Sequence, residues 1–486
     1  FVVMLVRVFG PLPTPVGHNA RVAIPAEEFT DIPEWAKTEL SDVFDAGIIA
    51  GTGDGRFLPD EPVTNSQAEL FIQRVYSLFG TNLKDDFYAS VNKDALESME
   101  PLPGLTMGGT LYDLNEKATG QIKEIIEEIT SKEHEYGTPE QKLSDMYKSM
   151  TAVGKDDNAG TEPLNKYLDM IDGAATATEL IKVNAELSEE ICFAPLMDFS
   201  VVTDMKDSTK HAASFDVPET SFTKEFYEDS NSAQMQIFTD HMSNLLMLVG
   251  EDEQSAAEGA RLYFEFEKTL ANAAMNREDY SDVAKAYNLF TMDELKSMFS
   301  GLDLDMVYSA SHLEPMDRIV VTDVGLTRAL AEYIKDENLG FLKAYMKIQL
   351  LLRYGSTVSR DFETVSKEFS EKLLGTDTSV SDEELYTMQL QGAMPEYIGK
   401  LYSERFFSEE AKQDVTKMAM EIVDFYKERI GALTWMSDTT KAAALKKLDT
   451  LMIKVGYPDS FACPADQAEI VSPENGGSYF DNTVRL

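Results

Sequence analysis

The 486-residue chain carries 43 basic and 85 acidic residues, a formal charge of −42 with its five histidines neutral. Such a field repels nucleic acid and anionic lipid, so neither is an expected partner. Hydrophobic residues at 43% and charged residues at 26% describe a folded chain long enough for two or more domains, and two cysteines are too few for a disulfide scaffold or a cysteine-rich zinc module.

The opening segment FVVMLVRVFG (1–10) lines up with FIQRVYSLFG (71–80), with Phe1 on Phe71, Phe9 on Phe79 and Gly10 on Gly80. Both read as an amphipathic helix closed by a glycine. Residues 1–10 are therefore expected to be the last helix of an earlier copy of a unit that then recurs whole. The apolar start is too short for a secretory signal and lacks a basic leader, and no later run approaches the roughly 20 apolar residues of a membrane span. Residues 11–28 carry four prolines and read as a linker. In the next stretch Trp35, Leu40, Val43, Phe44 and Ile48 recur at helical spacing. They predict a helix from Glu34 to Ala46 stopped by Gly47. After the glycine loop GTGDGRFLPDEPVT (51–64), Thr64 or Asn65 can cap a second helix running to Phe79.

From Thr81 onward the pattern is helical. EQKLSDMYKSM, AEGARLYFEFEKTLANAAM, GFLKAYMKIQLLLRYG, AKQDVTKMAMEIVDFYKERIGAL and DTTKAAALKKLDTLMIKVG all place apolar residues at i, i+3, i+4 and i+7. MDFSVVTDM and DRIVVTD are short β-prone runs. The expected fold class is mainly α: a helix-loop-helix unit, then a large multi-helical domain with minor β. Trp435, Met436 and Leu445 read as helix-packing core, Pro458 and Asp459 as a helix or strand end. Cys192 and Cys463 read as buried thiols rather than a bridge.

The glycine loop lacks the signals of a ligand site. Arg56 stands where a dinucleotide-binding loop needs its last glycine, and a helix precedes it instead of a strand. No Gly-Lys-Ser/Thr follows, and Asp54 and Asp60 do not give a calcium-loop spacing. The chemistry is that of a tight reversal. Its context, however, resembles an S-layer homology repeat over residues 29–80: the Phe-x-Asp start, the Trp-Ala pair, the AGII-G-GDG-F-P core and a Thr-led closing helix. The resemblance implies binding to a secondary cell-wall polymer at a Gram-positive surface. It assigns Asp31, Trp35 and Gly53 to the repeat's framework or polymer groove. The family's Thr-Arg pair is Thr64-Asn65 here, and Asn65 removes the guanidinium that would pair with an anionic sugar.

No catalytic constellation is visible in 81–486. His18, His134, His211, His241 and His312 lie far apart, and His134-Glu135 is followed by Thr138 where a second zinc histidine would stand. Each histidine reads as a surface or satisfied polar residue. There is no G-x-S-x-G elbow.

The same region resembles the neprilysin and endothelin-converting-enzyme family of zinc metallopeptidases. The resemblance rests on DDFYASVNKDAL (85–96), on the stretch 266–295, and most specifically on 394–461 with its Gly-Tyr-Pro-Asp turn at 456–459. It implies the mainly helical N-terminal part (81–486), which caps the active site and restricts substrates to peptides. In that family an H-E-x-x-H motif and a downstream glutamate hold zinc beyond the Gly-Tyr-Pro-Asp turn, and the motif glutamate activates water. No such motif occurs up to Leu486, so catalytic, cofactor-binding and metal residues in this chain are expected to be none. The chain alone is expected to be inactive, and zinc to belong to the full-length family member. An arginine often present within 108–122 reads as Asn115, with Lys117 nearby, which marks Asn115 as a candidate substrate-side position. The resemblances together imply an extracellular, wall-anchored zinc endopeptidase acting on peptides. The alternative is a non-catalytic wall or S-layer assembly protein on a degenerate peptidase fold.

Overall fold

The computed structural model describes residues 29–49, 56–59, 62–64, 67–68, 70–72, 74–75, 86–99, 108–153, 160–228, 232–375 and 380–486. The expected helix at 1–10, the linker, Gly53 and Asn65 lie outside these residues. The chain forms two compact units, 1–101 and 102–486.

In the first unit, α1 (Glu34–Asp45) ends as its sequence predicts. Gly47 takes a left-handed φ of 66°, its N–H reaches Phe44 O (2.9 Å), and Ile48 N reaches Val43 O (3.1 Å). These two bonds satisfy the last carbonyls and fold Ile48 back onto the helix, a Schellman closure. Phe29, Ile32, Leu40, Val43, Phe44, Ile48 and Val75 make a small core, with Phe57 and Phe71 against it. Thr64 caps the second helix: Gln67 N reaches its hydroxyl (3.3 Å) while Thr64 N donates to Gln67 Oε1 (3.0 Å). Helix α2 (Phe87–Ser98) starts on an Asp86 cap.

The second unit opens with α3 (Thr110–Thr130), α4 (Pro139–Val153), α5 (Glu162–Gly173) and α6 (Ala177–Ile191). A hairpin of β1 (Asp198–Thr203) and β2 (His211–Asp216) follows, then α7 (Lys224–Glu228), α8 (Ala233–Leu248), α9 (Glu253–Ala273), α10 (Arg277–Tyr280) and α11 (Val283–Ala286). Next come β3 (Asn288–Phe290), α12 (Met292–Met298), α13 (Leu304–Ala310), β4 (Ile319–Val321) and α14 (Val324–Tyr333). The remainder is helical: α15 (Leu339–Val358), α16 (Arg360–Leu374), α17 (Asp382–Ala393), α18 (Pro395–Phe406), α19 (Glu409–Ala432), α20 (Asp438–Asp449) and α21 (Tyr479–Arg485). Ser, Thr and Asp caps set many of the starts, among them Thr176, Ser232, Asp252, Asp323 and Ser408. The sheet order is β1-β2-β4-β3, with β2 and β4 parallel and the other pairs antiparallel.

Among the described residues, two large apolar cores and a small cluster of Ala212, Tyr287 and Val320 stabilise this unit. The larger surrounds α15, which packs on α5, α8, α9, α16 and α21. The second large core joins α3, α4, α17 and α18 to the segment around Cys463–Ile470. Lys142 fastens that segment from within, donating its ammonium to Ala465 O (2.7 Å) and Asp466 O (2.8 Å).

Three sequence expectations need correction. The run DTTKAAALKKLDTLMIKVG is helical only to Asp449; Thr450 is its C-cap, and the Thr450 N–H closes on the carbonyls of Lys446 and Lys447 (both 3.3 Å). Trp435 is not core: it stands exposed in the turn between α19 and α20, while Leu445 is half-buried. Both cysteines are free, but only Cys463 is buried; Cys192 is exposed at the left-handed end of α6.

Candidate functional site

The repeat brings one of its candidate residues into defined contact. Asp31 lies just before α1, and its carboxylate accepts Phe57 N (2.8 and 3.0 Å) and Leu58 N (2.7 Å). These bonds tie the exit of the glycine loop to the entrance of the repeat. Desolvation pushes the Asp31 carboxyl up, but the N–H groups of Leu58 and Phe57 outweigh it and hold the group below the usual carboxylate range. Leu58 sits at φ 58°, a left-handed conformation that costs a side-chain-bearing residue about 1 kcal/mol or more. Its N–H bond to Asp31 helps hold it there. Asp31 thus acts on the frame of the repeat, with both oxygens engaged by the chain itself. Arg74 adds a second tie, donating to Ile48 O (2.7 Å). Trp35 lies in the first turn of α1.

Asn115 and Lys117 stand exposed on the N-terminal half of α3, away from Ile122, Ile125, Ile126 and Ile129, which bury its C-terminal half. Asn115 does not line the cavity between 219–226 and the end of α9.

A cavity of about 960 Å³ lies between 219–226 and the end of α9 with α10. Phe222, Phe226, Met275 and Tyr280 form apolar wall; Glu225 and Arg277 supply charge. Through Ser221 it reaches a buried carboxylate that sequence reasoning missed. Glu267 is fully buried and accepts Tyr227 OH (2.6 Å), Ser221 Oγ (2.8 Å), Tyr263 OH (2.9 Å) and Ser221 N (3.2 Å). Burial pushes its carboxyl up, against the opposing effect of the Tyr227, Ser221 and Tyr263 hydroxyls. The signal was present in the sequence: Ala256, Ala260, Tyr263, Glu267 and Leu270 share the buried stripe of α9 at spacings of 4, 3, 4 and 3. Four donors on one carboxylate satisfy a charge-bearing group in the core and fix α9 to the 221–227 segment. No histidine takes part.

The histidines divide. His134 Nε2 meets Ile129 O (2.8 Å) at the end of α3, and His211 and His312 are exposed. His241 departs from the expectation of a surface or satisfied residue. It is buried between α8 and α16, stacked 4.4 Å from the Phe369 ring, and its Nδ1 has no partner among the described residues. Desolvation pulls its pKa down to about 4, partly opposed by a bond to the Val365 carbonyl. Among the described residues no group of three or more His, Cys, Asp or Glu side chains could hold a metal ion. They do not fit a zinc site, and no zinc chemistry is assigned to them. No helix among them is long and apolar enough to cross a membrane.

Comparison with known proteins places this architecture. The family model described as S-layer homology domain matches residues 28–68, and that of Peptidase family M13 matches residues 83–458. A neutral endopeptidase of Lactobacillus helveticus is 25% identical over 411 residues, covering 83% of this chain and 62% of that protein. A Mycobacterium tuberculosis zinc metalloprotease crystallised with an inhibitor shares the fold at a TM-score of 0.74 and 24% identity, over 83% of this chain and 62% of that one. PepO from Lactobacillus rhamnosis gives 0.73 at 17% identity, over 84% and 64%. The chain therefore spans a little over three-fifths of the length of these relatives. With the family match covering most of its length, behind an S-layer homology domain, the chain belongs to peptidase family M13.

Proposed function

We propose that this chain is the mainly helical lobe of a neprilysin-type zinc endopeptidase, held at the cell wall by S-layer homology repeats and acting on peptides outside the cell. The supporting observation is the order along one chain: an S-layer homology match at 28–68 followed at once by an M13 match at 83–458. The chain's own contribution is a rigid wall built on the α15 core, which restricts access to peptide-sized substrates and excludes folded proteins. The remainder of an M13 enzyme would supply the zinc and its ligands, and with them the Lewis-acid and water-activating chemistry that peptide hydrolysis needs. The wall partner is a secondary cell-wall polymer, and Asn65 weakens this copy's hold on its anionic sugars.

The test is peptide cleavage by the longest native form, with and without a chelator. Chelator-sensitive cleavage is expected. Its absence, together with an ordered lattice of the same protein, would favour a structural wall protein instead. Asn65→Arg should raise retention of residues 1–101 on purified wall polymer severalfold in a sedimentation assay.

A further inference from the structure

The cavity between residues 219–226 and α10 has a buried carboxylate behind each of its walls. Behind the first stands Glu267, whose bonds to Ser221 and Tyr227 fix the 221–227 segment. Behind the second stands Asp323, 4% exposed. It accepts Met275 N (2.6 Å), Tyr280 OH (3.0 Å) and Leu326 N (2.9 Å), and so ties α10 to the start of α14. A buried carboxylate destabilises a fold unless it is hydrogen-bonded, and here both hold backbone N–H and hydroxyl groups of the cavity walls. The walls are therefore set in place before any ligand arrives, which favours binding.

The lining has two characters. Phe222 and Phe226 stack at 4.1 Å, and with Met275 and the half-exposed Tyr280 they present an apolar surface. Glu219, Lys224, Arg277 and Glu278 bring charge, and none of the four makes a side-chain hydrogen bond or ion pair among the described residues. Many lysines and arginines elsewhere in this unit pair with a carboxylate, as Lys166 does with Glu190 and Arg405 with Glu128. In a chain with 85 acidic residues to 43 basic ones, partners are abundant, yet at the cavity the charges stay apart. Each wall carries both signs: Glu219 and Lys224 on one, Arg277 and Glu278 on the other. Glu219 faces Tyr280 closely enough to add to the upward push that burial and Asp323 give its hydroxyl.

Opposite charges that line one cavity without neutralising each other suit a ligand that itself carries both signs. The apolar surface between them suits a ligand with an apolar middle. The volume of about 960 Å³ lies at the upper end of small-ligand sites, roughly 300–1,000 Å³. We infer that this cavity binds a short peptide with free ends: its carboxylate on Arg277, its ammonium on Glu219, its apolar side chains against Phe222, Phe226 and Tyr280. The inference rests on the reading of this chain as part of a peptidase. Arg277 is a better carboxylate partner than Lys224, because the guanidinium fork can hold both oxygens. Glu219 takes the ammonium rather than Glu278 because it stands on the wall opposite Arg277, so the peptide spans the apolar surface. An anionic ligand is the poorer occupant in the field of a −42 chain, which a zwitterion does not oppose.

Isothermal titration calorimetry of the 486-residue chain at low ionic strength tests this. The probe is a tetrapeptide of leucine and phenylalanine flanked by alanines, offered free-ended, N-acetylated or C-amidated. The free-ended form should bind, and each block should weaken it at least about fivefold. Arg277→Gln should abolish the discrimination against the amide and keep that against the acetyl group; Glu219→Gln should do the converse. Both residues are exposed, so thermal unfolding should not change in either variant. No binding up to millimolar peptide, equal binding of the three forms, or an equal loss for all three in either variant would overturn the inference. Binding with these preferences, but no chelator-sensitive cleavage by the longest native form, would support the site and sink the peptidase reading alone. Cleavage without binding by this chain would do the reverse.

Discussion

Helices α15 and α19 are similar in length and look alike as amphipathic sequences, yet they occupy opposite environments. Along α15, Leu342, Tyr345, Ile348, Leu350, Leu351 and Tyr354 are buried against elements on several sides. Along α19 the apolar residues are as large, and not one is buried. Periodicity reports that a helix has an apolar face; it does not report whether this part of the chain supplies the cover. That is why Trp435 reads as core in the sequence and stands in solvent in the structure.

The comparison can be broken by substitution. Leu350→Ala should cost about 2–5 kcal/mol in chemical denaturation, because it empties a close-packed site. Ile422→Ala, of similar size change, should stay within about 0.5 kcal/mol in the same chain. Equal losses at the two sites would mean that α19 is already packed.

Acid should act on the core through His241. His241 has a folded pKa of about 4 against an ordinary value of 6.5, so the unfolded chain binds the extra proton between these values. Stability from this group is present above pH 6.5 and is lost as pH falls through 4, to about 3 kcal/mol in total. His241→Phe should flatten that part of the pH dependence of the denaturation midpoint; an unchanged slope would show that the imidazole is not held neutral.

Smaller effects belong to the repeat. Thr64→Ala should cost about 1 kcal/mol by removing a cap. Asp31→Ala should remove hydrogen-exchange protection at Phe57 and Leu58 while leaving amides in the C-terminal half of α1 protected.

How much was legible followed from period and cap. The helices with strong apolar stripes, the Gly47 stop and a cap at Thr64 or Asn65 could be read directly, because each rests on local chemistry; the structure puts the cap at Thr64. Strand β2, HAASFD, could not: its four central residues are all buried, so it shows no alternation, and two are alanine. Strand β3 has three residues. Glu267 was hidden among abundant carboxylates and stood out only by its place on the buried stripe of α9. Asn115, singled out by resemblance, stands exposed on α3 and does not line the cavity between 219–226 and the end of α9.

The central claim is that this lobe belongs to a zinc endopeptidase, and metal stoichiometry of the longest native form tests it most directly. Elemental analysis after gel filtration should find one zinc per chain, removed by a chelator together with peptide cleavage. A longest form that contains no zinc and cleaves no peptide would contradict the account.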